Sequence, residues 1–422
     1  MEAIANIKDY VLDTARRARR AALKLSRIDT ATKNNALRFM IQLLQTRADE
    51  IKEKNQIDLQ NGKKAGLSSA MLDRLELNDK RIAGMIEALE TLIELEDPSG
   101  RVDREWNRPN GMTIKKLRVP IGVIGIIYES RPNVTVDAAS LCLKTGNATI
   151  LRGGKEALHS NKVLTDLFRE ALVQAGIPQD AIQLIETIDR EAVSVLLKQH
   201  ETIDLIIPRG GEGLIRHVVE NSTIPVIKHY KGVCHLYADK ELDENMAERV
   251  IINAKVQRPG VCNALETLLV HQDLKDTFLP RICSALHRHG VEIHGDAITC
   301  KKDPQALLAT EEDWYAEYLD LILAVRVVKN LDEALDHIEI YGSRHSDGIL
   351  TTNQQTADTF LMAVDSAAVF HNVSTRFTDG GQFGMGAEIG VSTDKLHARG
   401  PMGLEELTSY KYVVTGSGQI RE

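Results

Sequence analysis

The sequence predicts an α/β protein whose sheets are mostly parallel and wound with helices on both faces. From Pro98 onward, short apolar runs alternate with segments of helix length, so each strand is followed by a crossover long enough to return parallel. The run Ile121-Gly-Val-Ile-Gly-Ile-Ile-Tyr128 carries no charge, as a strand covered on both faces requires. At 422 residues the chain is too long for one ordinary core, and the alternation begins afresh near Cys234, which predicts a second such domain.

Residues 3 to about 95 read as helices. Ile4, Ile7, Val11, Ala15, Ala18 and Ala22 recur at helical spacing, and Asp29-Thr30 can cap a second helix carrying Leu37, Met40, Ile41 and Leu44. Charges fill the opposite faces, as on solvated helices over a core. After Pro98-Ser-Gly100, Met112–Val119 reads as a short strand and Ile121–Tyr128 as the buried one. A helix from about Pro132, strand Asn147–Arg152, helix His159–Ala175, strand Ala181–Ile185, helix Arg190–Gln199, strand Thr202–Ile207 and helix Glu212–Glu220 follow. The second block opens with a strand at Cys234 and has candidate strands at Glu266–His271, Asp320–Val328, Gly348–Thr351 and Ala367–His371. The tail ends in Ser409-Tyr-Lys-Tyr-Val-Val414, a strand able to pair with another sheet or chain. In doubly wound sheets ligands sit beyond the carboxyl ends of the strands.

Bulk properties exclude several classes. Hydrophobic residues at 43% and charged residues at 27% give the balance of a soluble globular protein. A formal charge of -8 leaves no basic excess for nucleic-acid phosphates. The most apolar stretch is too short to span a membrane. Five cysteines without a CxxC pair suggest reduced thiols. Arg16, Arg17, Arg19, Arg20 and Arg27 hint at a transit peptide, but Asp9 and Asp13 interrupt such a segment and no apolar core follows, so a cytoplasmic location is expected.

Four segments invite chemistry. In Arg258-Pro-Gly-Val-Cys262, Pro259 and Gly260 break a helix and present Cys262 on a turn before a strand, where backbone N–H groups can stabilise a thiolate or oxyanion. An ordinary loop cysteine fits the same spacing. Cys142, Cys234, Cys283 and Cys300 read as packed or incidental thiols. Asn133, in Tyr128-Glu-Ser-Arg-Pro-Asn133, stands at the carboxyl edge of the buried strand, placed either to donate its amide to an oxyanion or to cap a helix. Pro208-Arg-Gly-Gly-Glu-Gly213 follows a strand and opens a helix, so Gly210, Gly211 and Gly213 let a ligand approach backbone N–H groups at a positive helix end. His287, His289 and His294 lack the spacing of a metal motif, and no metal is expected.

The stretches YESRPNVTVDAASLCLKTGNA, LRGGKEALHSN, RPGVCNALETLLVH and GAEIGVSTDKLHARGPMGLEELTSYK, in that order, resemble the aldehyde dehydrogenase superfamily and, within it, the γ-glutamyl phosphate reductases. The resemblance covers essentially the whole chain. It implies an aldehyde dehydrogenase-like fold with an NADP-binding domain (1–101 and 119–232), a catalytic domain (233–395) and a small β oligomerisation element (102–118 and 396–422). It implies NADPH-dependent reduction of L-glutamyl 5-phosphate to L-glutamate 5-semialdehyde and phosphate in proline biosynthesis. A homo-oligomer is expected, with the glutamate kinase of the pathway as a further partner to consider. By motif, Cys262 is the nucleophile, Asn133 the oxyanion donor and Glu317 a contact to the nicotinamide ribose.

Arg152 and Lys155 stand where NAD-preferring relatives carry a ribose-binding glutamate, which favours a 2′-phosphate. Hydrolytic relatives carry a general-base glutamate before the nucleophile. The matching stretch here, Lys228-His-Tyr-Lys-Gly-Val-Cys234, has no carboxylate, and by motif position neither His229 nor His235 replaces it. Arg131, Arg258, Lys395 and Arg399 are candidates for the substrate's phosphate and α-carboxylate, each equally suited to a surface ion pair. The alternatives are a hydrolytic or acyl-thioester dehydrogenase on the same fold, and a non-catalytic assembly subunit.

Overall fold

The computed structural model describes residues 6–421; Ile4, expected on the first helix, lies outside them. The chain divides into two compact units. The first takes in the chain up to Lys228, Met385–Gly390 and the chain from Met402; the second is His229–Gly384 with Val391–Pro401.

In the first unit, five helices lie before residue 95. Asn6 caps Ile7–Leu25 by accepting the Asp9 N–H, and Asp29 caps Thr30–Thr46 through the Thr32 N–H at 2.8 Å. Val11, Ala15, Ala18 and Ala22 form a stripe of mostly small residues that packs with Val123, Ile127, Ala148 and Ile150 of the sheet. Lys144 is fully buried, and its Nζ donates to the Asn34 side chain (2.8 Å) and the Ile93 carbonyl (3.0 Å), tying this helical region to the helix Asn133–Lys144.

β1 (Val102–Asn107) and β2 (Thr113–Pro120) form an antiparallel hairpin. β3 (Val123–Tyr128), β4 (Ala148–Arg152), β5 (Ile182–Leu184) and β6 (Leu205–Arg209) form a parallel sheet in the order β5-β4-β3-β6, with every residue of β3 buried. The expected strand Thr202–Ile207 is displaced toward the C-terminus. The N–H groups of Thr202 and Ile203 close back onto the Gln199 carbonyl (3.0 and 2.9 Å), so the chain leaves that turn only at Asp204.

The second unit holds β7 (Cys234–Ala238), β8 (Leu265–His271), β9 (Glu292–Gly295), β10 (Leu307–Leu308), β11 (Ile322–Val328), β12 (Ser346–Leu350) and β13 (Ala368–His371). They form one parallel sheet in the order β10-β9-β11-β8-β7-β12-β13. β14 (Val391–Ser392) and β15 (Gly400–Pro401) make a short antiparallel pair. β9 and β10 were not expected: four and two residues are too few to display a period. One core packs Leu236, Leu268, Val270, Phe278, Ile282 and Leu323 together, and a second, around Tyr237, Leu269, Ile349 and Phe360, includes the helix Gln354–Ala363.

The chain closes on β16 (Thr408–Thr415), which pairs antiparallel with β2 to give the sheet β1-β2-β16. The terminal strand thus finds its partner within its own chain. Tyr410, Tyr412 and Val414 are exposed on it. No helix of the described residues is long and apolar enough to cross a membrane.

One interaction stands out inside the second unit. Lys255 and Glu266 are both fully buried and meet at 2.6 Å, the lysine from the helix Glu244–Val256 and the glutamate from β8. Glu266→Ala leaves the ammonium buried without its carboxylate and is expected to cost about 3–5 kcal/mol in chemical denaturation. The double substitution Lys255→Met with Glu266→Leu should recover most of that loss; a single substitution no worse than a surface change would refute the role given to the pair.

Candidate active site

In the first unit, the sequence-predicted residues gather at the carboxyl ends of neighbouring strands. Asn133 opens the helix that follows β3, but it does not cap it. The cap position is Pro132, which makes no side-chain bond, and the Asn133 amide donates to Asp137 at 2.9 Å. Burial pushes the Asp137 carboxyl up to about 6 against that hydrogen bond and the charge of Arg209. The amide's NH2 is thereby oriented by a carboxylate one helical turn on, with a second proton left to donate.

At the end of β4, Arg152 donates to the Gly153 carbonyl (2.9 Å) and the Ile188 carbonyl (3.3 Å), while Lys155 is exposed. A Cβ on Gly153 would lie 2.0 Å from the Asn161 amide, so only glycine passes there. At the end of β6, the Gly211 N–H opens the helix Glu212–Asn221 as predicted, and in this structure it donates to the Glu129 carboxylate (3.1 Å). A phosphate bound at that N–H has to displace Glu129. Gly213 lies within the helix, one residue in.

In the second unit, Cys262 sits on the turn between the helix Glu244–Val256 and β8, partly exposed. Its neighbour Asn263 is buried and locks the turn: its amide donates to the Thr378 carbonyl (2.8 Å), and its own carbonyl accepts from the Thr375 hydroxyl (2.8 Å). The Cys262 carbonyl accepts from the Cys234 thiol at 3.2 Å. Gly232 runs against the same carbonyl; a Cβ there would fall 1.8 Å from the oxygen. The Gly232 N–H in turn donates to Glu317 at 2.9 Å. Cys262 and Glu317, far apart in sequence, are therefore linked through one glycine.

His229 and His345 complete the surroundings. One nitrogen of each ring and the Cys262 sulfur all lie within 4.8 Å of one another. His229 Nδ1 is 2.9 Å from the Val391 carbonyl, an acceptor, which assigns the proton to Nδ1 and the lone pair to Nε2. An imidazole in this state can take the proton of a thiol. Motif position had discounted His229, and His345 was missed because it enters from the start of β12, with no local signal in its own segment. His235 is fully buried and bound to Asp347 at 2.9 Å, away from this chemistry.

The other thiols differ. Burial pushes Cys142 and Cys283 up to about 12, raises Cys234 well above its ordinary value, and raises Cys300.

Of the four substrate-binding candidates, Arg258 is exposed beside the Cys262 turn, and Arg131 is exposed at the end of β3. Lys395 and Arg399 both hold Asp365, the arginine at 2.8 Å to the side chain and 2.8 Å to the carbonyl, and these contacts keep that carboxyl at about 2. A cation not anticipated, Arg376, bonds the Asn263 side chain and Gln257 (2.8 Å). Burial, and then the charge of Arg258, hold its pKa below the usual arginine value.

Of the histidines discounted as ligands, His287 binds Asp303 (2.7 Å), and His294 lies between Asp313 and Glu292 (2.5 and 2.8 Å).

The aldehyde dehydrogenase family model matches residues 4–298. The chain is 57% identical to the γ-glutamyl phosphate reductase of Moorella thermoacetica, over 99% of this chain and 100% of the relative. It is 54% identical to that of Geobacter metallireducens, with the same coverage. The crystal structure of γ-glutamyl phosphate reductase from Thermotoga maritima superposes with a TM-score of 0.96 at 50% identity, covering 98% of this chain and all of that one. An acetylating aldehyde dehydrogenase from Geobacillus thermoglucosidasius, 16% identical with a TM-score of 0.70 and fully covered on both sides, shares the fold. A family model spanning most of the sequence, relatives more than half identical from end to end and a solved structure of the same shape establish that this chain belongs to the γ-glutamyl phosphate reductases of the aldehyde dehydrogenase family.

Proposed function

We propose that the protein reduces L-glutamyl 5-phosphate to L-glutamate 5-semialdehyde and phosphate with NADPH, through a thioester on Cys262, in proline biosynthesis. The observation that carries this reading is Cys262 on a locked turn with two imidazoles around its sulfur. The thiol proton passes to His229 or His345, and the thiolate attacks the acyl carbon. The bond from that carbon to the phosphate oxygen breaks, and phosphate leaves with the electron pair.

The strand-end Gly153 with no room for a Cβ, a helix-opening N–H at Gly211 and the cations Arg152 and Lys155 suit a phosphate-bearing nicotinamide cofactor. Arg152 and Lys155 would hold its 2′-phosphate, Gly210, Gly211 and Gly213 would let its other phosphates near backbone N–H groups, and Glu317 would meet the ribose by its motif. A bound nicotinamide supplies the hydride that takes the acyl group to the aldehyde level.

The chain's own part is to hold the acyl carbon on sulfur and to stabilise the oxyanion from the Asn133 amide and the Cys262 N–H. The Cys262 thiolate is then taken back as the carbon–sulfur bond breaks. Arg131 and Arg258 are assigned to the substrate's anionic groups, with Lys395 and Arg399 behind them. On the same reading the protein is cytoplasmic and a homo-oligomer built through β1-β2-β16, with the pathway's glutamate kinase as a candidate partner.

Cys262→Ala is expected to abolish turnover while circular dichroism and cofactor binding stay unchanged. Activity that survives in this variant but is lost in Cys142→Ala or Cys234→Ala would assign the nucleophile elsewhere. Lys155→Glu should narrow the preference for NADPH over NADH in kcat/KM; equal efficiency of the unmodified enzyme with both cofactors would remove the basis for that role. In the oxidative direction, without phosphate, a burst of NADPH followed by near arrest is expected, because the stretch Lys228–Cys234 carries no carboxylate to activate water. Steady release of glutamate instead would make His229 or His345 a hydrolytic base and the enzyme an acid-forming dehydrogenase.

A further inference from the structure

The geometry points to a divalent transition-metal site formed by Cys262, His229 and His345, at which Zn2+ reversibly silences the nucleophile. Three donors of the right kind converge: a cysteine sulfur and two imidazole nitrogens, mutually within 4.8 Å. Tetrahedral zinc holds sulfur at about 2.3 Å and nitrogen at about 2.0–2.1 Å, which sets its ligand atoms roughly 3.3–3.7 Å apart. The observed spacing of up to 4.8 Å is wider than this, so binding an ion draws the three side chains together. Sulfur with imidazole selects zinc and its neighbours over magnesium or calcium, which require oxygen ligands.

The supporting contacts have the form that ligand histidines use. His229 Nδ1–H is fixed on the Val391 carbonyl at 2.9 Å, which sets the ring's tautomer and leaves the lone pair on Nε2. His345 is fully buried, with Nδ1 2.9 Å from the Ser346 hydroxyl, itself 2.6 Å from Thr378. The two rings stand edge to face with centroids 5.5 Å apart, so both are held before any ion arrives. Three protein ligands leave the fourth position of a tetrahedral ion for water or an anionic group of the substrate.

Binding expels the thiol proton to solvent and ties up the sulfur lone pair that attack on an acyl carbon requires. The site is thus inhibitory. It uses the nucleophile of the proposed function but is read by metal binding, which does not depend on turnover.

The test uses the full-length enzyme freed of metal with a chelator and titrated with Zn2+ or Co2+. One ion per chain should bind, and Co2+ should give a thiolate-to-cobalt charge-transfer band with the visible bands of tetrahedral cobalt. Alkylation of Cys262 should slow, and activity should fall and return when chelator is added. Cys262→Ala should lose the charge-transfer band, and Cys234→Ala should keep it. His229→Asn and His345→Ala should each weaken Zn2+ binding at least about tenfold. Because His345 is buried, the partly exposed His229→Asn variant decides the matter if His345→Ala fails to fold. Cobalt bound without a sulfur band, or zinc affinity unchanged in His229→Asn, overturns the site. Turnover retained in Cys262→Ala overturns the catalytic reading instead and leaves the metal result standing.

Discussion

The ion pair between Lys255 and Glu266 sets the frame for the surroundings of Cys262. It joins the last turn of one helix to the second residue of β8, so the turn that carries Cys262 is a loop closed at its base. The other carboxylate oxygen of Glu266 accepts the Leu319 N–H at 3.2 Å, which holds a residue with a left-handed backbone, φ 54°. That second bond fixes the segment bearing Glu317. Glu317 then holds Gly232, and Gly232 lies against the Cys262 carbonyl. Burial works against both partners, raising the Glu266 pKa to about 7 and lowering that of Lys255. A packed apolar pair at the same place would be at least as stable. What the charges add is direction: a carboxylate satisfies an ammonium and an N–H at once, and so fixes two loops in one geometry, the condition for a site whose reacting atom must be placed closely.

The contrast between Cys234 and Cys262 follows from the same frame. They are neighbours, joined by the hydrogen bond from one thiol to the other's carbonyl, yet burial keeps Cys234 a neutral donor. As a thiol it steadies the turn without competing for an electrophile. Cys262 is partly exposed and has imidazoles beside it, which a thiol needs to become a nucleophile. One sulfur is buried and supports the turn, and the other is accessible, as the proposed nucleophile must be.

Much of the fold was legible because its signals are local. β3 is apolar throughout, and its burial on both faces follows; Asp29 caps its helix as its side chain dictates. The helix-breaking pair Pro259–Gly260 marks the turn that carries Cys262 in the sequence itself. What could not be read depends on side chains meeting across the sheet. His345 reaches Cys262 from the start of β12, and nothing in its own segment marks it. Gly232 looks like a loop glycine until the Cys262 carbonyl is seen against it. β9 and β10 are too short to carry a period and exist because β11 offers an edge to β9 and β9 to β10. Asn133 was legible as a residue at a strand end, but its hydrogen bond to Asp137 was not anticipated.

The cations separate by what already neutralises them. Lys395 and Arg399 converge on Asp365, with Arg344 3.9 Å from the same carboxylate, so one negative charge is shared among three cations. Arg258 and Arg376 are arranged the other way. Each raises the potential at the other, and the effect is strong enough to help hold Arg376 below its usual pKa. Like charges brought together beside a reactive sulfur are unfavourable in the resting protein, and an arriving dianion removes that cost as it binds. A substrate carrying phosphate and carboxylate meets this requirement, whereas a neutral aldehyde does not. In a chain with a net charge of -8, this pair of guanidiniums supports the acyl phosphate proposed above as the substrate.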